Sequence, residues 1–437
     1  MRIGLSDRRS VHSLVTIVLL FLPGLLPGAA REEANLLIAR SGFDVSVSTL
    51  LLVVNLSYQV CLLIRRGRWH ASPQAAVLAV SALTTTIGTI VAFVWGGPTM
   101  IRVPLVFVLG QLVALAAWLN LRDEERGGFL ASVCRAAVMY FCVSIVYWVA
   151  ELQGVFAQSD GLGYSRMGSA LFRVVYMGLF VPSFGILYLI AARSLQTRPP
   201  AVFYPFILAV TLATGSRSGA LVIAVAAIVL TFSVPKTAAQ GLFRAVVIGA
   251  VFAFTLPALD LVSGTRYDTL SGHGRSESFQ AAVDAWSSLS LFKVFFGAGW
   301  GQIYPYWTWL EAGAPTWGGK NFFYLGGSQS LVSPHNSILW FLVEGGALVA
   351  SGVVFPIAAS VIGCLRAGVR DGKIILCILG VGSLVWLVLI SDFLVWDEAG
   401  GAAQPFFWLL LCLFWHTATS RDPAVAASRG CPERTVR

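Results

Sequence analysis

Three short segments of the sequence carry residues whose chemistry suits an anionic substrate. Arg217 stands in Thr214-Gly215-Ser216-Arg217-Ser218-Gly219, a turn between two apolar runs. A guanidinium held at a membrane edge is costly unless something pairs with it, and its planar fork of donors fits a phosphate. The alternative is an arginine that snorkels at a helix start. Arg275 stands in Gly272-His273-Gly274-Arg275-Ser276-Glu277, where a helix start would add backbone N–H groups to the guanidinium around one anion. The plainer reading there is a solvated pair with Glu277. His335 follows Pro334 and precedes Asn336-Ser337 at the entry to a long apolar run. A histidine so placed can move a proton near neutral pH or donate a hydrogen bond as a cation. The same segment, Ser333 to Ser337, also reads as a helix cap.

Weaker signals surround these. Arg135 and Arg173 fall inside apolar runs, near enough to helix ends to snorkel. Trp286, Trp300, Trp307, Trp309 and Trp317 cluster before His335; such rings either stack on sugars or form an interfacial belt. Phe296-Gly297-Ala298-Gly299-Trp300-Gly301 resembles a nucleotide loop only superficially, since no strand and helix flank it. The sequence has no Asp-x-Asp pair, so no divalent metal and no other cofactor is expected.

The elements that must position these residues follow from composition. Of 437 residues, 57% are hydrophobic and only 12% charged, about half the charged fraction of a soluble domain. The mean hydropathy is +0.77. Apolar runs succeed one another, so the expected fold class is an all-α polytopic membrane protein. Twelve spans are expected, near 13–30, 45–64, 75–96, 103–120, 129–150, 169–192, 200–214, 219–234, 245–262, 336–363, 373–391 and 404–418. The corresponding division is residues 1–262 for helices one to nine, 263–334 for a long outer loop, 335–418 for helices ten to twelve, and 419–437 for a tail.

The net charge of +9 comes from scattered single residues and short groups, which argues against nucleic acid. Its distribution sets sidedness. Arg65, Arg66 and Arg68, Arg122 and Arg126, Arg193 and Arg198, Lys236 and Arg244, and Arg366, Arg370 and Lys373 occupy one alternate set of connections. The short opposite connections hold only Arg31, Arg40, Arg102, Arg166 and Arg217. The positive-inside rule therefore places both termini in the cytoplasm and the residue 263–334 loop outside. Residues 2–30 also have the form of a signal peptide ending near Gly28-Ala29-Ala30; a retained first helix is preferred because nothing downstream reads as a secreted domain. The seven cysteines form no CxxC pair, so neither a disulfide framework nor a zinc site is expected.

A loop as long as 263–334 is usually functional. Its charges cancel: Arg266, Arg275, Lys293 and Lys320 against Asp268, Glu277, Asp284 and Glu311. Phe279, Val283 and Trp286 recur at helical spacing and predict an amphipathic helix from about Ser276 to Leu291 that packs on the membrane face.

Taken in order, Gly215-Ser216-Arg217-Ser218-Gly219, His273-Gly274-Arg275 with its amphipathic stretch, Phe296-Gly297-Ala298-Gly299, and His335-Asn336-Ser337 running into Glu344-Gly345-Gly346-Ala347 resemble the O-antigen ligase and polysaccharide polymerase superfamily. The resemblance covers about Thr214 to Gly352, and the aromatic insertion from Tyr304 to Tyr324 departs from the common pattern. It implies a metal-independent glycosyltransferase in the bacterial inner membrane, working at the periplasmic face. The implied donor is a glycan on undecaprenyl diphosphate, and the acceptor is lipid A-core or a lipid-linked glycan. Arg217 and Arg275 would hold the diphosphate and His335 would position or deprotonate the attacking hydroxyl, with Glu277 as an alternative base. Arg266, Glu277, Asn336 and Trp300 are the expected substrate contacts. Membrane lipids and proteins of polysaccharide export and chain-length control are the remaining expected partners. A lipid-linked oligosaccharide flippase is the alternative from another class.

Overall fold

The computed structural model describes residues 8–25, 47–67, 69–96, 102–152, 180–188, 206–207, 209–211, 214, 222, 275–300, 336–367, 372–390, 394 and 404–419. The expected spans at 219–234 and 245–262 lie outside these residues apart from position 222, and those at 169–192 and 200–214 are described only in part. Among the described residues every regular element is helical. They are α1 (Arg8–Leu25), α2 (Val47–Arg66), α3 (Pro73–Gly96), α4 (Arg102–Asn120), α5 (Asp123–Leu152), α6 (Arg275–Ser287), α7 (Leu291–Phe296), α8 (Ser337–Trp340), a π-helical turn over Phe341–Gly345, α9 (Gly346–Arg366), α10 (Gly372–Ile390) and α11 (Gln404–Thr419). Among the described residues, five stretches are long and apolar enough to cross a membrane: Thr49–Arg66, Pro73–Trp95, Val103–Asn120, Gly128–Val146 and Ser337–Arg366. Such a set supports a membrane protein.

Local chemistry starts these helices where the sequence offers caps. Ser72 precedes Pro73, and its Oγ accepts the Ala75 N–H at 3.2 Å, which leaves proline at the first turn, where its missing donor costs nothing. At the start of α5 the Glu125 carboxylate reaches back to accept the Arg122 N–H at 3.1 Å, satisfying a donor that has no helical partner. Helix α1 is part of the bundle. Ile17, Leu20 and Phe21 are buried, Thr16 accepts from Gln59 Nε2 at 2.8 Å, and Phe21 packs on Tyr140 and Phe406.

Small residues let α3 and α9 approach closely. A side chain at Gly88 would meet Val349 at 2.7 Å, and one at Gly352 would collide with Thr85. The Ser81 hydroxyl donates to the Gly352 carbonyl and accepts from Gln111 Nε2 at 2.8 Å. This is how helices associate in lipid, by close backbone approach and interhelical hydrogen bonds. The pairing of Ser81 with Gly352 and of Gly88 with Val349 makes α3 and α9 antiparallel. Helices α4 and α11 are parallel, since Gly110 lies against Gln404 and Trp118 against His416. Both directions agree with the alternation expected from charge.

Basic residues from separate connections gather at one end of this bundle. Arg66 Nη1 donates to the Asn120 carbonyl at 2.7 Å, and the Arg126 guanidinium lies 4.5 Å from the centroid of the Trp118 ring. Gly363, one turn before Arg366, faces Trp415, the neighbour of His416. The opposite end carries α6 and α7.

Candidate functional site

The site is built on a break in a membrane helix. Asn336 starts α8 as an N-cap: its side-chain oxygen accepts the Leu339 N–H at 3.0 Å, and Ser337 Oγ accepts the Leu394 N–H at 3.2 Å. The helix then widens into the π turn over Phe341–Gly345, and Gly346, at φ 75° and ψ 177°, interrupts it before α9 resumes. That conformation is essentially open to glycine alone. Isolated π turns inside α-helices are often found at functional sites.

The segment 275–300 docks on this break. Helix α6 packs on α8 and the π turn, and α7 packs on α9, the π turn and the end of α3. Beyond α7 the chain turns through Gly297, at φ 89° and ψ 162°. The Ala298 N–H then donates to the Val343 carbonyl at 2.9 Å and the Gly299 N–H to the Glu344 carbonyl at 3.1 Å. A side chain on Gly297 would overlap the Glu344 carbonyl, and one on Gly346 would overlap the backbone of Phe295 and Gly297. The two glycine-rich motifs are therefore the two halves of one close backbone contact. Trp300 closes it, fully buried, its ring 5.9 Å from that of Phe341 in an edge-to-face arrangement.

Inside the break lies Glu344, only 1% exposed. Trp340 Nε1–H donates to its Oε2 at 2.8 Å. Phe341, on the same turn, stacks on Phe107 of α4 at 4.5 Å. A carboxylate within a membrane-crossing stretch is expensive unless partnered and is a functional candidate for that reason. Glu344 stands in the motif Glu344-Gly345-Gly346-Ala347 but is not among the site residues expected from the sequence. The signal was present, since an acid in the apolar run after His335 meets the same rule that selected Arg135 and Arg173.

A comparison with protein-family models found no match, and a comparison with curated proteins found none. The site is therefore read from its own geometry.

Arg217, Arg266 and His335 lie outside the described residues, as do Arg173 and the Tyr304 to Tyr324 insertion. Arg275 and Glu277 fall in the first turn of α6, where a helix start was expected. Thr214, three residues before Arg217, is buried, and its hydroxyl donates to the Thr211 carbonyl at 2.6 Å. Asn336 is buried and engaged as a cap, and Trp300 presents no face to solvent. Arg135 lies on the exposed side of α5. The expected single helix from Ser276 to Leu291 is instead two, ending at Ser287 and resuming at Leu291 as α7. Its inner face is Ala282, Ala285 and Trp286, while Phe279 is 46% exposed; close packing on the π turn selects alanine over the larger ring.

Because the Asn336 cap is local, its removal has a limited expected cost. Asn336→Ala should lower stability by about 1 kcal/mol, and Asn336→Asp should keep the cap. Thermal unfolding in detergent measures this. A variant that keeps its melting temperature but loses activity would make Asn336 a substrate contact instead.

Proposed function

We propose that this protein is a glycosyltransferase of surface polysaccharide biosynthesis. It transfers a glycan from undecaprenyl diphosphate to a sugar hydroxyl at the periplasmic face of the bacterial inner membrane. The reading takes the chain as about twelve spans with both termini cytoplasmic. Its support is the sequence resemblance, together with one structural observation: an outer segment beginning at Arg275 is bonded through its backbone to a broken membrane helix that starts beside His335. A lipid-linked donor needs cations at membrane depth and a rigid link between the outer loop and the spans, because transfer depends on holding donor and acceptor in register.

In this reading Arg217 and Arg275 hold the diphosphate and neutralise charge developing on the leaving group as the sugar–phosphate bond breaks. His335 orients or deprotonates the attacking hydroxyl. Arg266 and Glu277 line the substrate, and Asn336 and Trp300 shape the floor through packing. Acceptors are lipid A-core for a ligase or the next lipid-linked repeat for a polymerase.

A flippase remains the second reading, and Glu344 is the observation that favours it, because intramembrane carboxylates also mark proton relays in transporters. Reconstitution separates the two. The purified protein in proteoliposomes receives an undecaprenyl-diphosphate-linked oligosaccharide with chelator present, with and without lipid A-core acceptor. A product ladder without lipid A-core identifies a polymerase, and a single shift requiring it identifies a ligase. Lipid crossing the bilayer with no covalent product identifies the flippase and ends the glycosyltransferase reading.

A further inference from the structure

We infer that Glu344 is a positioning residue for this transfer, acting through Trp340 to hold the helix break on which the outer segment is anchored; the inference rests on the glycosyltransferase reading for its activity arm alone. Glu344 is bound twice to the anchor. Its side chain accepts from Trp340 Nε1–H at 2.8 Å across the π turn, and its own carbonyl accepts from Gly299 N–H at 3.1 Å.

The adjoining bonds form one connected path. Asn336 binds Leu339 through its side chain and Trp340 through its carbonyl; Trp340 binds Glu344; Val343 and Glu344 bind Ala298 and Gly299. The path thus runs from the residue beside His335 to the end of the segment that Arg275 begins. An uninterrupted α-helix would spend the Val343 and Glu344 carbonyls on N–H groups one turn onward. The π turn and Gly346 redirect them to the outer segment, and the Trp340–Glu344 bond braces that turn from within. The bond needs an acceptor at Glu344, which glutamine also supplies.

The test compares E344L, E344Q, W340F and the double variant W340F/E344L with the unaltered protein, in detergent and in proteoliposomes. Chymotrypsin reads the anchor independently of activity, because Phe296 and Trp300 flank a turn that is protected only while docked. Expected are cleavage there and a loss of glycan transfer of about tenfold or more in E344L and W340F, with the double variant no worse than either. E344Q should stay uncut and within about threefold of the unaltered protein, because its amide oxygen still accepts the indole N–H. E344L that stays uncut and active would overturn the inference. So would E344Q that stays uncut yet transfers as poorly as E344L, which would give Glu344 a charge or proton role. W340F carries the comparison if E344L fails to yield monodisperse protein. If no protein transfers glycan, the unaltered one included, the glycosyltransferase reading fails, while the cleavage pattern still decides the anchor.

Discussion

Alanine at Arg217, Arg275 or His335 is expected to reduce glycan transfer by about 10²–10³-fold each, the size of effect seen when one preorganised donor is removed from a developing charge. Membrane insertion and yield should not change, since Arg275 lies in the first turn of α6, outside the stretches long and apolar enough to cross a membrane. Arg217→Lys sharpens the test. A lysine keeps the charge but not the two parallel N–H groups, so a bidentate diphosphate clamp loses most of its activity and a site needing charge alone does not. The assay is product formation from the undecaprenyl-diphosphate-linked donor in proteoliposomes. Full activity in two of the three alanine variants would remove the catalytic assignment.

The second large effect is on the anchor. Gly297→Ala and Gly346→Ala each place a side chain where the backbone conformation strongly disfavours one, a strain of about 1–3 kcal/mol. They also drive it into opposing backbone, the Glu344 carbonyl in one case and Phe295 and Gly297 in the other. Backbone cannot swing aside as a long side chain can, so the turn should leave the break rather than accommodate the methyl. Both variants should lose chymotrypsin protection at Trp300 and lose transfer, while the α3–α9 pair, which meets elsewhere along α9, stays assembled. Gly67 provides the contrast: its φ is 59° but nothing lies within 4 Å of an added methyl, so Gly67→Ala should cost only the local strain. Equal losses at all three glycines would show that conformation, not close approach, sets the effect.

These glycines also show where reading the chain stops. The apolar runs, the cap at Asn336 and the start of α6 at Arg275 were legible because each depends on a few adjacent residues and on the absence of water to satisfy bare backbone. The gathering of Arg66, Arg126 and Arg366 at one end was legible from alternation of charge. The division into α6 and α7 was not, because Phe279, Val283 and Trp286 have the period of one continuous face, whereas the packed face is Ala282, Ala285 and Trp286. What fits against the π turn depends on a partner more than fifty residues away.

Sequence alone carried the helical membrane architecture and the choice of arginines and a histidine as candidate site residues, because hydropathy and side-chain chemistry are local quantities. Tertiary structure alone revealed that Gly297 meets Gly346, that Trp300 is enclosed rather than open to sugar, and that Glu344 sits at the centre of the joint. Those facts depend on which backbone groups lie within hydrogen-bonding distance across the fold. A broken helix and a distant turn satisfy each other's donors and acceptors only after the chain has brought them together.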